Sequence, residues 1–196
     1  MTKKRIIAAV LLVYMVLSAF FFVSCGGDEQ LTAFSKAISA TKPSKVEGTV
    51  TMYTEFGPLT ATYKADIAED GSFVLNYAYD VFNDIQSADK SDVTSKVEGT
   101  VTYKDGVFSD TSLTSKVPAE AVAAKVKLSD KMSYTVSDDG NVLAATVKAA
   151  DTKAVLGVEY AADVTMVLTK ANDKIVSLSL TYTLAEGKVE VVCSYK

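Results

Sequence analysis

The 196-residue chain carries 20 Lys and Arg against 24 Asp and Glu and contains no histidine, a formal charge of −4. An acidic balance repels phosphate backbones, and a chain without imidazole lacks the commonest general base and the commonest zinc ligand. Nucleic-acid binding, histidine-based triads and transition-metal sites are therefore set aside at the outset.

The chain begins with Lys3-Lys4-Arg5 and then an uncharged run from Ile6 to Val23, the order of an export signal. The run, 18 residues long, could also just cross a bilayer as a helix. Its ending decides between the two, because a spanning helix has no need of a small residue followed by a cysteine. The stretch Phe22-Val23-Ser24-Cys25-Gly26 resembles the lipobox of a bacterial lipoprotein precursor, departing from it at Phe22, where leucine is usual. That resemblance implies cleavage between Ser24 and Cys25 and lipid on Cys25. It also implies a chain held on the extracytoplasmic side of a membrane, at the cell surface or in the periplasm. Acyl chains hold durably because each buried methylene contributes about 0.8 kcal/mol. Cleavage leaves 172 of the 196 residues and, with Lys3, Lys4 and Arg5 gone, 17 basic groups against 24 acidic ones. The expected organisation is a signal peptide over 1–24, a lipidated joint over 25–27, and one domain over 28–196.

Between Asp28 and Thr41, Leu31, Phe34 and Ile38 recur at helical spacing, and Lys42-Pro43 stops the pattern. Strand alternation comes next. Val46, Gly48, Val50, Met52 and Phe56 alternate with polar residues, Gly57-Pro58 turns the chain, and Leu59, Ala61, Tyr63, Ala65 and Ile67 share one side of the second strand. After the Glu69-Asp70-Gly71 turn, Phe73, Leu75, Tyr77 and Tyr79 continue the apolar side. Asp80 to Thr94 is polar with weak periodicity and reads as a long loop or a short irregular helix.

The chain then repeats itself: Ser95 to Thr102 is identical to Ser44 to Thr51, Ser-Lys-Val-Glu-Gly-Thr-Val-Thr in both. The repeat predicts two strands in similar places of a sheet, each with a glycine where a helix or neighbouring backbone comes close. Lys104-Asp105-Gly106 turns into a short strand near Val107 to Leu113, and Pro118 opens a brief helix. Met132, Tyr134 and Val136 lead through Asp138-Asp139-Gly140-Asn141 into a strand from Val142 to Lys148, and Asp151 to Leu156 reads as a short helix stopped at Gly157. The clearest meander is last. Val164, Met166 and Leu168 precede a turn at Ala171-Asn172-Asp173-Lys174, Val176, Leu178, Leu180, Tyr182 and Leu184 face inward after it, and Val189, Val191, Cys193 and Tyr195 share one side of the final strand. Cys193, with no partner if Cys25 is acylated, is expected as a small core side chain.

These elements predict a mainly β, α+β domain. It is a single curved antiparallel sheet of about ten strands, a half-barrel or unclosed barrel, with an N-terminal amphipathic helix and one or two short helices packed on it. In element order over 28–196 it is similar to the superfamily of lipoprotein carriers and lipid-binding lipoproteins (LolA, LppX, LprG). That resemblance implies an unclosed barrel with a lipid site, and no motif carries functional residues over.

Catalytic signals are weak. Ser39-Ala40-Thr41-Lys42 and Ser87-Ala88-Asp89-Lys90 fit S-x-x-K but lack its companion motifs. The acid-rich turns lack calcium-loop spacing. No catalytic residue, metal site or cofactor is expected, and the protein is read as a non-enzyme. The aromatic rows remain: Phe56, Tyr63, Phe73, Tyr77 and Tyr79 fall on one side of successive strands. If the sheet closes on the helix they are core, and if it stays open they line an apolar groove for a lipid or other amphiphile. The expected function is thus an anchored lipoprotein binding an apolar or amphiphilic ligand. The alternative is a structural or protein-interaction module of the envelope, its partner unspecified by sequence.

Overall fold

The computed structural model describes residues 27–55, 57–82, 93–110, 117–130, 132–185 and 187–196. The proposed signal segment, Ser24 and Cys25, and the groove candidate Phe56 lie outside these residues.

Helix α1 (Gly27–Ala40) buries Phe34 and Ala37 and leaves Leu31 and Ile38 half-covered, the single stripe its spacing predicts. The helix ends before Pro43, and Thr41 ties its C-terminal end to the sheet: the Thr41 hydroxyl donates to the Ala37 carbonyl and accepts the Ile175 N–H at 2.7 Å. The Lys170 ammonium lies 5.3 Å from the centre of the Phe34 ring.

Ten strands form one antiparallel sheet that does not close into a barrel. In chain order they are β1 (Lys45–Thr54), β2 (Gly57–Ile67), β3 (Phe73–Phe82), β4 (Val93–Lys104), β5 (Val107–Phe108), β6 (Ser133–Val136), β7 (Val142–Val147), β8 (Val164–Ala171), β9 (Lys174–Leu184) and β10 (Gly187–Tyr195). The spatial order is β5-β4-β3-β2-β1-β10-β9-β8-β7-β6, two five-strand meanders joined along β1 and β10, with β5 and β6 at the edges. Tight two-residue turns connect several hairpins. Asp105-Gly106 and Asn172-Asp173 all adopt positive φ, the backbone that matches the twist of the flanking strands.

Helix α2 (Ala119–Val122) and helix α3 (Thr152–Leu156) add to the same core as α1, and a 3-10 turn (Ala149–Asp151) that buries none of its residues leads into α3. The Tyr195 hydroxyl donates to the Ala121 carbonyl and ties α2 to β10. Thr152, fully buried, donates to the Ala149 carbonyl and accepts the Tyr160 N–H, so its hydroxyl is satisfied on both sides.

Two departures from strict alternation have local causes. Register along β8 and β9 jumps from Thr169 opposite Ser177 to Lys170 opposite Ile175, leaving Val176 as an extra residue. Ile175 is therefore buried and Val176 is 38% exposed, where alternation points Val176 inward. The polar stretch expected as a loop from Asp80 is strand at its described ends. Asp80 to Phe82 belongs to β3 and Val93 to β4, with a register irregularity between Val81 and Phe82 that blurs the period there. Residues 83–92 of that stretch lie outside the described residues.

Candidate functional site

The apolar face of the sheet is laid out in cross-strand rows. One row runs Leu143, Leu168, Leu178, Cys193, Gly48, Tyr63, Tyr77, Gly99 across β7, β8, β9, β10, β1, β2, β3 and β4. The next, in the same strand order, runs Ala145, Met166, Leu180, Val191, Val50, Ala61, Tyr79, Val97. The two meanders differ along these rows. From β7 to β10 each residue named is essentially buried. Across β2 to β4 the covering thins: Tyr77 and Val97 are half-buried, Leu59 is 47% exposed and Tyr79 is 40% exposed. Met52, opposite Leu59, is half-buried beside them. Met52, Leu59, Tyr77, Tyr79 and Val97 thus form an uncovered apolar corner on the core-facing side of the sheet.

The aromatic candidates divide accordingly. Tyr63 and Phe73 are buried in the core cluster, Tyr77 and Tyr79 stand at the uncovered corner with rings stacked at 6.3 Å, and Phe56 lies outside the described residues. Phe73 stacks on Tyr103 at 4.9 Å with Phe108 edge-on at 5.8 Å, closing the opposite end of β3. Leu59 and Val97 escape a search for aromatic rows, although the same alternation places them on this face.

Beneath Tyr63 lies a polar cluster. Its hydroxyl donates to the Val192 carbonyl at 3.0 Å and meets the Cys193 thiol at 3.0 Å. Burial pushes the Cys193 thiol up to about 11 and raises the Tyr63 and Tyr195 hydroxyls well above the usual tyrosine value. Cys193 is free, buried and protonated at neutral pH, a core side chain with no electropositive group to activate it.

Gly48 makes this arrangement fit. A Cβ there would overlap the Tyr63 ring and the Val192 carbonyl, and a Cβ at Gly99 would overlap the Tyr77 ring. Each glycine of the repeat faces a tyrosine on the neighbouring strand, which folds over it. At Gly48 the nearest atom is a neighbouring backbone carbonyl, as the repeat led one to expect, with the Tyr63 ring beside it; at Gly99 the nearest atoms are those of the Tyr77 side chain.

The outer surface offers shallow recesses. An open trough of about 460 Å³ crosses β2 to β4 beside Thr62, Lys64, Asn76, Lys96 and Thr100, and a recess of about 600 Å³ runs along α1 past Thr32, Lys36 and Asp173. Their linings are mixed and open. Among the described residues no group of three His, Cys, Asp or Glu is placed to hold a metal ion. The acid-rich turns use their carboxylates locally. Asp70 accepts from the Ser72 hydroxyl and N–H, Asp139 from the Ser137 hydroxyl and Asn141, and these bonds hold both carboxyls below the usual range. Ser39 donates to the Ser35 carbonyl within α1, while Ser87 and Lys90 lie outside the described residues. Among the described residues no helix is long and apolar enough to cross a membrane.

No family model matches the chain, and no curated protein does. Among solved structures it is similar to LprF from Mycobacterium bovis, with TM-score 0.42 and 14% identity over 85% of this chain and 91% of that one. It is similar also to a putative outer membrane lipoprotein-sorting protein domain from Vibrio parahaemolyticus, with TM-score 0.34 and 7% identity over 87% and 92% of the two chains. A third similar structure is a DUF1329 family protein from Desulfovibrio piger, with TM-score 0.31 and 9% identity over 87% and 91%. At these scores the likeness assigns neither ligand nor role to this chain.

Proposed function

We propose that the protein is a membrane-anchored extracytoplasmic lipoprotein, cleaved between Ser24 and Cys25 and lipidated on Cys25, whose domain over 28–196 binds an apolar or amphiphilic ligand without catalysing a reaction on it. The observation that carries this reading is the uncovered corner. Leu59 and Tyr79 are exposed on the side of the sheet that the rest of the fold seals, with Met52, Tyr77 and Val97 half-buried beside them, and apolar side chains facing water there are costly unless something covers them. The tyrosines suit an amphiphile, since each presents an apolar ring and a polar tip. The outer face, with its Lys45–Asp66, Lys64–Glu47 and Lys96–Glu98 pairs, is an ordinary solvated surface.

Native mass spectrometry of the detergent-extracted chain, with displacement of a fluorescent fatty acid, tests the proposal. Copurifying lipid, or binding lost in a Leu59→Ser/Tyr79→Ser variant of unchanged thermal stability, supports it. Neither lipid nor displacement overturns it. The second reading, an envelope module without a small-molecule ligand, is favoured by the sealed interior over β7 to β10. A capture of a defined envelope protein by a crosslinker placed at Tyr79, with no lipid bound, would select it.

A further inference from the structure

Tyr160 is a buried side chain on an exposed stretch of chain. It is 7% exposed, whereas Gly157, Glu159, Ala161 and Asp163 around it face solvent. The backbone there is pinned: the Tyr160 N–H donates to the Thr152 hydroxyl at 3.0 Å, and the Ala149 N–H donates to the Asp163 carboxylate at 3.0 Å. The side chain is held only by packing. Its ring lies on Tyr182 with centres 4.3 Å apart, and its hydroxyl, enclosed in the core, finds no hydrogen-bond partner among the described residues. The Tyr182 hydroxyl is near enough to bear on its proton but is not placed to bond it. A buried hydroxyl left unpaired is a standing cost of the closed fold, and any acceptor that reaches it removes that cost.

The sheet connects this pair to the uncovered corner. Tyr182 lies opposite Val189, Val189 opposite Met52, and Met52 opposite Leu59, one cross-strand row over β9, β10, β1 and β2. Tyr182 and the exposed Leu59 thus stand on the same face, three strand spacings or roughly 14 Å apart. Val189 between them is sealed, so a ligand lying along the row needs the Tyr160 ring to turn.

Charge narrows the ligand. Burial raises the Tyr160 and Tyr182 hydroxyls above the usual tyrosine value, so both keep their protons at neutral pH. The lysines of the neighbouring stretch are committed, Lys148 to Asp163 at 2.7 Å and Lys153 to Glu159 at 3.8 Å. A carboxylate would carry charge into surroundings that already penalise a tyrosinate, whereas an ester carbonyl brings only an acceptor.

We propose that Tyr160 sets ligand specificity: its ring turns off Tyr182 and its hydroxyl donates to the carbonyl oxygen of a neutral acyl ester whose chain covers the Met52 and Leu59 corner. This rests on the reading of that corner as an amphiphile site.

The test titrates the detergent-extracted full-length chain with monopalmitoylglycerol and with palmitate by native mass spectrometry, and reads the isotope-labelled ester carbonyl by infrared spectroscopy. The parent is expected to bind the ester more tightly than palmitate. Tyr160→Phe is expected to weaken ester binding about fivefold, the share of one neutral hydrogen bond, to leave palmitate binding unchanged, and to move the carbonyl stretch to higher frequency. Its urea midpoint should equal or exceed the parent's, because the variant removes a hydroxyl that folding leaves unpaired. The inference is overturned, with the corner reading intact, if both chains bind the ester equally with the same carbonyl stretch, or if palmitate is preferred. It is overturned as well if Tyr160→Phe lowers the urea midpoint, which marks a hydroxyl bonded within the fold. If neither probe binds the parent, this inference and the corner reading fall together.

Discussion

The repeat supplies its own control for a stability experiment, because the same substitution can be made in two identical octapeptides. At Gly48 an added methyl meets a ring that is 2% exposed and hydrogen-bonded at its tip, together with a main-chain carbonyl that cannot move without shifting β10. Overpacking of this kind costs about 1–3 kcal/mol, and loss of the Tyr63 hydrogen bond adds about 1 kcal/mol. Alanine recovers about 0.5–1 kcal/mol of glycine's backbone entropy, so Gly48→Ala is expected to destabilise by about 2 kcal/mol. At Gly99 the three nearest atoms all belong to the outer end of the Tyr77 side chain, which is half-buried. There the entropy gain offsets the displaced ring, and Gly99→Ala should lie within about 0.5 kcal/mol of the parent. Urea unfolding followed by circular dichroism measures both, and heating should show Gly48→Ala melting about 4–8 °C lower. Equal shifts for the two variants would refute the assignment of Tyr63 as the covered ring and Tyr77 as the loose one. Measured in a Tyr63→Ala background, the cost of Gly48→Ala should shrink to the share due to the Val192 carbonyl.

The buried thiol predicts a pH dependence. Folding raises Cys193 from its ordinary value of 9.0 to about 11, so the unfolded chain gives up that proton first. Stability is therefore intact below about pH 9 and falls as pH rises toward about 11, with the raised Tyr63 and Tyr195 hydroxyls acting in the same direction. Denaturant titrations at pH 8 and pH 10.5 should show the loss, and Cys193→Ala should reduce it. Thr152→Val keeps the shape of a fully buried side chain but strands the Tyr160 N–H, and should cost about 2 kcal/mol by the same unfolding assay. Cys25→Ala should abolish incorporation of labelled palmitate and release the chain from the membrane fraction. Labelling that persists would remove the anchor from the proposal.

What the sequence revealed and what it hid separate along one physical line. Period-two alternation and short turns are local, so β2, β9 and β10 and the helix stripe of Leu31, Phe34 and Ile38 could be read directly. Pairing of the chain's two ends is not local: nothing in Lys45–Thr54 announces Gly187–Tyr195 as its neighbour, although that seam joins the two meanders. Alternation also assigns a face without saying what covers it. Tyr63 and Tyr79 carry the same pattern, yet one is 2% exposed within the core cluster and the other is 40% exposed. The bulge at Val176 defeats alternation by one residue for a reason that resides in the partner strand. The partner of the repeat's first glycine was hidden by the turn. A turn at Gly57-Pro58, as the sequence suggests, would set Gly48 opposite Ile67, whereas Gly57 and Pro58 lie in β2 opposite Thr54 and Tyr53, and that register sets Gly48 opposite Tyr63. A glycine directly opposite an aromatic in a central strand is a position where the ring can lie across the backbone and reach the strand beyond. At Gly48 that strand is β10, whose Val192 carbonyl accepts the Tyr63 hydroxyl.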